Sequence, residues 1–181
     1  WPKFGANNQN TGLSRLADGL IAYYPFNGNA NDESGNDHNG TVNGAILTTD
    51  RHGDANSSYS FDGTDDYITA PDTGFPAGAA SRTISMWVTS PGKKASGHNH
   101  IINYGTHATS KAFGLIFADT LGPGLYFYGH GNDLEVYPGP RVFGDWKHMV
   151  ATYDGTTLRT YYNGNPAEVE AKALNTVLNQ F

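Results

Sequence analysis

The chain has 181 residues and no cysteine, and its 17 acidic and 11 basic side chains leave a formal net charge of −6. This length suits one domain with one sizeable core. The missing cysteines exclude disulfides, thiolate metal ligands and a cysteine nucleophile. Basic residues form no cluster beyond Lys93 and Lys94, so we expect no nucleic-acid partner. No run approaches the ~20 apolar residues that would cross a membrane, so we expect no membrane insertion.

The composition predicts an all-β protein. With 23 Gly, 9 Pro, 11 Tyr and 9 Phe, the chain is suited to short aromatic strands joined by turns rather than to long helices. Residues 1–18 are polar and show no clear period, so we interpret them as a lead-in segment or linker. The domain itself is predicted to cover residues 19–181.

From residue 19 onward, strand-length apolar segments alternate with turns rich in Gly, Asn, Asp and Pro. Short strands at this spacing are typical of a sandwich or barrel. The predicted strands cover residues 19–26, 39–47, 58–63, 66–71, 82–90, 100–105, 112–118, 124–129, 133–138, 145–155 and 156–164.

The last two of these strands form the clearest hairpin, because Asp154-Gly155 supplies a turn with positive φ between two alternating segments. Strict alternation there predicts one buried and one solvated face. Residues 166–181 are predicted to form a strand followed by a loop.

Several segments, in this order and spacing, resemble a laminin G-like domain: GLIAYYPFNGNANDESGNDHNGTVNGA, YSFDGTDDYITAP, RTISMWV, IINYG and DWKHMVATYDGTTLRTYYNG. The resemblance covers residues 19 to about 175. It implies a two-sheet antiparallel jelly-roll sandwich of the concanavalin A-like superfamily. It further implies a non-catalytic module of secreted or surface proteins that binds glycans or proteins, commonly with a structural calcium ion.

Two features of the ends bear on this resemblance. Family members continue past the equivalent of residue 175 with a closing strand that bears an acidic pair. We expect this closing strand to be missing here. Its absence would leave residues 19–26 as an exposed edge strand. Residues 1–12 are similar to the start of a quinoprotein-type β-propeller repeat. We therefore expect a trimmed domain from a larger parent with neighbouring domains.

Two turns rich in hard oxygen donors are candidates for the calcium site that the resemblance implies. Turn-forming residues are the alternative explanation, since Asn, Asp and Gly are common in any turn. The first candidate comprises Asp32, Ser34, Gly35 and Asp37, and the second comprises Asp62 and Asp65, with Asp66 beside them.

The histidines give no predicted metal site. His98 and His100 lie on one side of an extended segment, and His107 and His130 lie elsewhere, but no spacing indicates a third ligand. His148 matches a core position of the family beside Trp146, so we expect it to be packed and hydrogen-bonded.

Glycan binding requires exposed aromatic side chains that stack on sugar rings. The candidates are Tyr104, Tyr126, Tyr128 and Tyr137, of which alternation should bury about half.

Catalysis is not expected, because hydrolases of this fold carry an E-x-D-x-x-E motif. Here the nearest pairs are Asp133 with Glu135 and Glu168 with Glu170, each without a third acid. We therefore expect a binding or adhesion module for a glycan or surface protein, outside the cell or on the surface of a bacterium. A structural spacer is the first alternative, and a glycan-active hydrolase is the second.

Overall fold

The computed structural model describes residues 19–89, 99–118, 124–136 and 144–179. Within these ranges the chain forms twelve antiparallel strands and no helix, which confirms the predicted all-β fold. The described residues therefore contain no helical membrane span. The chain divides into two compact units, the first ending at Pro71 and the second starting at Asp72.

The first unit contains two short antiparallel sheets. Strand β1 pairs with β4, and β2 pairs with β3. Residues 39–47 were predicted as one strand, but Gly44, at φ 76°, separates β1 from β2. A Cβ atom at position 44 would collide with the Asp66 carboxylate, so this break requires glycine. The four strands are β1 Thr41–Asn43, β2 Ile46–Thr48, β3 Ser58–Ser60 and β4 Tyr67–Thr69.

The predicted strand over residues 19–26 is wrong, because this extended segment joins no sheet. Its polar backbone groups pair with the following loop instead. The Tyr23 carbonyl accepts from the Glu33 amide at 2.8 Å, and the Asn36 side chain donates to the carbonyls of Leu20 and Ile21 at 2.9 and 3.0 Å. Alternation alone could not distinguish a strand from a segment satisfied by a loop.

The second unit contains two four-stranded antiparallel sheets, in the orders β12-β11-β10-β5 and β6-β7-β8-β9. The predicted hairpin is confirmed: β10 pairs with β11, and Gly155 has φ 102°. The eight strands are β5 Arg82–Val88, β6 Asn99–Gly105, β7 Ala112–Ala118, β8 Gly124–Tyr128, β9 Leu134–Val136, β10 Lys147–Tyr153, β11 Thr157–Tyr162 and β12 Asn165–Ala171.

Both sheets of the second unit contribute side chains to one core, so this unit is a two-sheet sandwich. Alternate residues of each central strand enter that core, as period-2 geometry requires. The side chains at 0% exposure include Phe113, Leu115 and Phe127 from the β6–β9 sheet and Met149, Ala151 and Leu158 from the β5–β12 sheet.

Arg82, at the start of β5, is a buried cation at the edge of this core. Its Nη1 donates to the Pro76 carbonyl at 2.7 Å and to the Tyr104 hydroxyl at 3.2 Å, and its Nη2 donates to the Gly78 carbonyl at 2.6 Å. The planar fork of the guanidinium holds its donors on two separate nitrogens that face different carbonyls, whereas the three donors of a lysine ammonium all start from one atom.

Aromatic rings also stabilise the Arg82 charge. Its guanidinium carbon lies 4.9 Å from the ring centre of Phe113 and 5.3 Å from that of Tyr153. These two rings belong to opposite sheets. A desolvated cation over an aromatic face contributes about 2 kcal/mol. Arg82 therefore links the turn at residues 76–78 to both sheets.

We expect Arg82→Lys to lower the free energy of unfolding by about 2–3 kcal/mol, because a single ammonium nitrogen cannot occupy the positions of both Nη1 and Nη2 and leaves one buried carbonyl without that donor. Urea denaturation near pH 7 measures this change. The matched control is Arg159→Lys, which alters an exposed pair with Asp154 and should cost far less, because ion pairs at the surface contribute little to stability. Equal losses in both variants would contradict a special role for Arg82.

Candidate functional site

The carboxylate of Asp32 organises the Asn- and Asp-rich loop of the first unit. Its Oδ1 accepts from the amides of Tyr23 and Ser34, both at 2.9 Å. Its Oδ2 accepts from the Ser34 hydroxyl at 2.8 Å and the His38 amide at 3.1 Å. The side chain is 0% exposed, and the His38 ring nitrogen Nδ1 lies 3.3 Å from the same Oδ2.

The hydrogen bonds to Asp32 determine its protonation state, and its charge affects the pKa of Tyr24. Burial acts to raise the pKa of Asp32, but the hydrogen bonds from Tyr23, Ser34 and His38 outweigh it and hold the pKa well below its usual range. Burial and, second, the Asp32 charge raise the pKa of Tyr24 to about 12. The Tyr24 hydroxyl donates to the His38 carbonyl at 2.6 Å. The loop therefore holds an ionised carboxylate as its own hydrogen-bond centre.

The hydrogen bonds that Asp32 accepts compete with calcium at the first predicted calcium site. Both Asp32 oxygens already accept hydrogen bonds, and the single proton of the Ser34 hydroxyl lies between the Asp32 Oδ2, at 2.8 Å, and the Ile21 carbonyl, at 3.1 Å. Gly35 and Asp37 are exposed and adopt positive φ, at 92° and 61°. The donor set does not fit calcium well, because the metal would have to displace N–H and O–H donors from the central carboxylate.

The second predicted calcium site has a geometry closer to that of a metal site. Asp62, Asp65 and Asp66 each offer a carboxylate oxygen, and these oxygens lie within 4.8 Å of one another. Calcium–oxygen distances of about 2.3–2.6 Å allow two ligand oxygens to be up to ~5 Å apart, so one ion could contact all three. The turn is tightened by the Asp66 Oδ2, which accepts from the Asp62 amide at 2.8 Å.

Of the four tyrosines predicted to stack on sugar rings, one is buried in the core and one lies outside the described residues. Tyr104 is 6% exposed and lies in the core, where its hydroxyl also donates to the Pro76 carbonyl at 3.1 Å. Its assignment as a sugar-stacking residue is therefore wrong, because alternation places it on the inner face of β6. Tyr137 lies outside the described residues.

Tyr126 and Tyr128 lie on the opposite face of the β6–β9 sheet from the core. Directly opposed residues of antiparallel strands share a face, and the register aligns His100 with Ile116, Ile116 with Tyr126, and Tyr126 with Glu135. A second apolar cluster forms here from Ala112, Ile116 and Tyr128, with Tyr126 packed against it. We call the surface formed by His100, Ile116, Tyr126, Tyr128 and Glu135 the Tyr128 face.

Exposed rings and polar groups surround the buried tyrosine of this face. The ring of His100 meets that of Tyr128 edge-on at 4.6 Å, and His107 does so at 5.8 Å. His100, His107 and Glu135 are exposed, whereas Tyr128 is buried and Tyr126 is half-buried. The sequence indicated the two tyrosines, but it did not indicate that the histidines and Glu135 join them, because the residues come from separate strands and turns.

Two acids of the candidate pairs have local partners of their own. The Asp133 carboxylate accepts from the amides of Gly129 at 2.7 Å and Gly131 at 3.3 Å, so it forms a turn. Glu170 lies 3.1 Å from the Lys172 ammonium in an ion pair. Glu168 is half-buried on the edge strand β12.

His148 is packed and hydrogen-bonded as predicted, but the predicted core position is wrong: it faces outward with its partner Trp87, while the neighbouring Met149 points into the core. Its ring stacks on Trp87 at 5.0 Å, and its Nε2 lies 2.9 Å from the Ser85 hydroxyl. Trp87 is nevertheless 45% exposed on the outer face of the β5–β12 sheet. This sheet therefore also presents an aromatic residue to solvent.

Comparison with known proteins identifies the class of this fold. A Laminin G 3 model, described as the concanavalin A-like lectin/glucanases superfamily, matches residues 62–180. The chain belongs to this superfamily, which confirms the predicted family.

One solved structure is similar across most of the chain: domain 4 of AbnA, an extracellular GH43 arabinanase from Geobacillus stearothermophilus, in complex with arabinotriose. The similarity covers 89% of this chain and 79% of that chain, with a TM-score of 0.59 and 19% sequence identity. At 19% identity, this similarity supports a shared fold and nothing beyond it. No curated protein sequence matches the chain.

We expect Asp32→Asn to lower the free energy of unfolding by about 2–3 kcal/mol at pH 7, because a charged acceptor of four hydrogen bonds is lost. A lowered folded-state pKa stabilises the fold above the ordinary carboxyl pKa of about 3.9, and this contribution is lost as the pH falls below it. The deficit of the variant should therefore shrink between pH 5 and pH 3, as measured by urea denaturation.

Asp37→Asn is the matched control, since Asp37 is an exposed carboxylate of the same loop whose positive φ asparagine also tolerates. It should remain within about 0.5 kcal/mol of the parent chain. An Asp32→Asn deficit of the same size at pH 7 and pH 3 would contradict a stabilising charge.

Proposed function

We propose that this domain is a non-catalytic carbohydrate-binding module and that it binds glycan on the Tyr128 face. The observation that carries the proposal is the row His100, Ile116, Tyr126 and Glu135, which crosses all four strands of one sheet on the face away from the core. In this row the half-buried ring of Tyr126 lies between the exposed Glu135 and, beyond the buried Ile116, the exposed His100.

Sugar rings match such a surface chemically. The C–H groups of a pyranose or furanose pack on aromatic rings, while its hydroxyls require donors and acceptors at the rim. The Glu135 carboxylate accepts from two sugar hydroxyls at once, and the His100 imidazole offers a donor or an acceptor. A rigid sheet holds these groups at fixed spacing, which reduces the entropy lost on binding.

The acidic residues of the Tyr128 face favour glycan binding over glycan hydrolysis. Glycoside hydrolysis uses two carboxylates on either side of the scissile bond. On the Tyr128 face Glu135 is the exposed carboxylate of β9, whereas its neighbour Asp133 is held by two backbone amides. We therefore assign Glu135 to hydroxyl recognition rather than to acid–base catalysis.

The fold neighbour suggests which ligands to test first. Because domain 4 of AbnA was solved with arabinotriose and comes from an extracellular enzyme, we propose a plant-type polysaccharide such as arabinan as the ligand class. We also propose an exported location for the domain, within a larger protein.

We expect arabino-oligosaccharides to bind the parent chain measurably in isothermal titration calorimetry, in metal-scavenged buffer resupplied with calcium. Glu135→Gln and His100→Ala should each weaken binding by roughly tenfold, the cost of one lost polar or ring contact. A plant-glycan array extends the search if these sugars give no heat.

The matched control is Trp87→Ala, which removes an exposed aromatic ring from the other sheet. It should leave the glycan affinity unchanged. A loss with Trp87→Ala but not with His100→Ala would move the site to the β5–β12 sheet and overturn the proposal. The absence of any glycan signal would favour the alternative of a structural spacer.

We further propose that calcium stabilises the first unit through Asp62, Asp65 and Asp66. Calcium that binds only the native state should raise the melting temperature by a few degrees at millimolar concentration. Asp65→Asn should abolish that increment, because it removes one charged ligand while keeping the shape of the turn.

Asp54→Asn serves as the calcium control, since Asp54 is an exposed acid of a different turn. Its calcium response should equal that of the parent chain. A calcium increment that survives Asp65→Asn would exclude this cluster, and an increment lost in Asp37→Asn instead would return the site to the first loop.

A further inference from the structure

The turn at residues 129–133 connects β8 and β9, two strands that carry the Tyr128 face. Inside the turn, the Asp133 carboxylate accepts from the amides of Gly129 and Gly131 at 2.7 and 3.3 Å. His130 adopts φ 51°, a left-handed conformation that costs free energy for a residue with a Cβ. A strained turn of this kind persists because contacts from outside it hold its conformation.

Strand β9, which follows the turn, depends on outside contacts for a second reason. It is three residues long, and β8 is its one sheet neighbour within the described ranges. Few ladder hydrogen bonds hold an edge strand of this length, so it opens locally at low free energy unless other groups hold it. This strand carries Glu135, the acid that we assign to hydroxyl recognition.

One of these outside contacts comes from the opposite sheet. Lys172 directly follows β12, and its ammonium donates to the Asp133 carbonyl at 2.7 Å, just before β9 begins. The Lys172 side chain is 5% exposed, and the Glu170 carboxylate lies 3.1 Å from its Nζ. A buried ammonium requires such acceptors, because an unpaired buried charge is strongly destabilising. The contact therefore ties β9 to β12, the edge strands of the two sheets.

The backbone of Lys172 is fixed in turn by the core. Its amide donates to the Thr156 carbonyl at 2.8 Å, and its carbonyl lies 2.9 Å from the hydroxyl of the buried Tyr153. The amide of Leu174 donates to the same hydroxyl at 3.3 Å, and the Leu174 side chain is 3% exposed in the core. Lys172 is therefore a fixed anchor to which the turn is attached.

A second side chain, Asn132, ties the turn to the same segment. Its Nδ2 donates to the Ala173 carbonyl at 3.1 Å and to the Ser110 hydroxyl at 3.0 Å, which uses both of its N–H groups. The Ser110 amide donates to the Gly129 carbonyl at 3.0 Å. The turn is thus held from outside near its start, through Gly129, and near its end, through Asn132.

We propose that Lys172 is a positioning residue for glycan recognition: through the Asp133 carbonyl it holds the turn that leads to Glu135. Asn132 is the second tie of the same turn. This role rests on the proposed glycan site of the Tyr128 face. Lys172 acts through the turn rather than on the ligand, because its side chain is almost fully buried. A face that is already held in place loses less conformational entropy when a ligand binds.

Lys172→Met tests this role, because it removes the ammonium and keeps the apolar stem. We expect it to weaken arabino-oligosaccharide binding by roughly threefold to tenfold, the cost of ordering one side chain on binding. Titration calorimetry measures this at a temperature where circular dichroism shows the variant to be folded. Lys147→Met is the matched control, since Lys147 pairs with the exposed Asp145 at 3.6 Å. It should leave the affinity unchanged.

Amide hydrogen exchange without sugar provides a second readout. The amides of Gly129 and Gly131 should exchange several-fold faster in Lys172→Met and at the parent rate in Lys147→Met, because the turn opens more often once its anchor is lost. If Lys172→Met does not fold, Asn132→Ala should produce the same two changes through the second tie.

Unchanged affinity or unchanged exchange in the folded Lys172→Met variant would overturn the positioning role and leave the proposed function intact. A lower melting temperature at unchanged affinity would show that Lys172 supports the fold alone, and would also overturn the role. A parent chain that binds no glycan would instead overturn the proposed function, and the positioning role with it.

Discussion

Side-chain alternation along β7 and β8 is the constraint on which the second unit depends. Phe113, Leu115 and Phe127 fill the core between the sheets, so the intervening residues must point the other way. Those residues include Ile116 and Tyr128, which build the second cluster. A slip of one residue in the register would expose the core and bury the candidate site in the same step, so the site and the fold are stabilised by the same pairing.

Arg82 and Asp32 bury charged side chains, and the Nη atoms of the first and the carboxylate oxygens of the second have local partners. Arg82 donates to two carbonyl oxygens and a hydroxyl and lies over two aromatic rings. Asp32 accepts from backbone amides and a hydroxyl. Such groups add less net stability than apolar burial does, but an unmatched partner would cost several kcal/mol. They therefore specify the conformation of the turn at residues 76–78 and of the loop at residues 31–38.

The strand pattern was largely predictable, because a period of two and turn residues are local signals. Predictions failed where a distant partner decided the outcome. Residues 19–26 look like a strand, yet their hydrogen bonds go to Ser34 and Asn36 side chains and to a loop amide. Tyr104 looks like any other alternating tyrosine, and only the packing of the two sheets places it in the core.

The all-β class, the superfamily, most strand positions and the two acidic turns can be predicted from the amino-acid chain alone, because these depend on local periodicity, composition and motif order. Which of these residues meet depends on long-range packing. Strand register brings His100, Tyr126 and Glu135 onto one face, and a bulge and a left-handed turn bring His100 and His130 toward His107. These contacts join residues far apart in the chain, and no local signal encodes the pairing of strands that creates them.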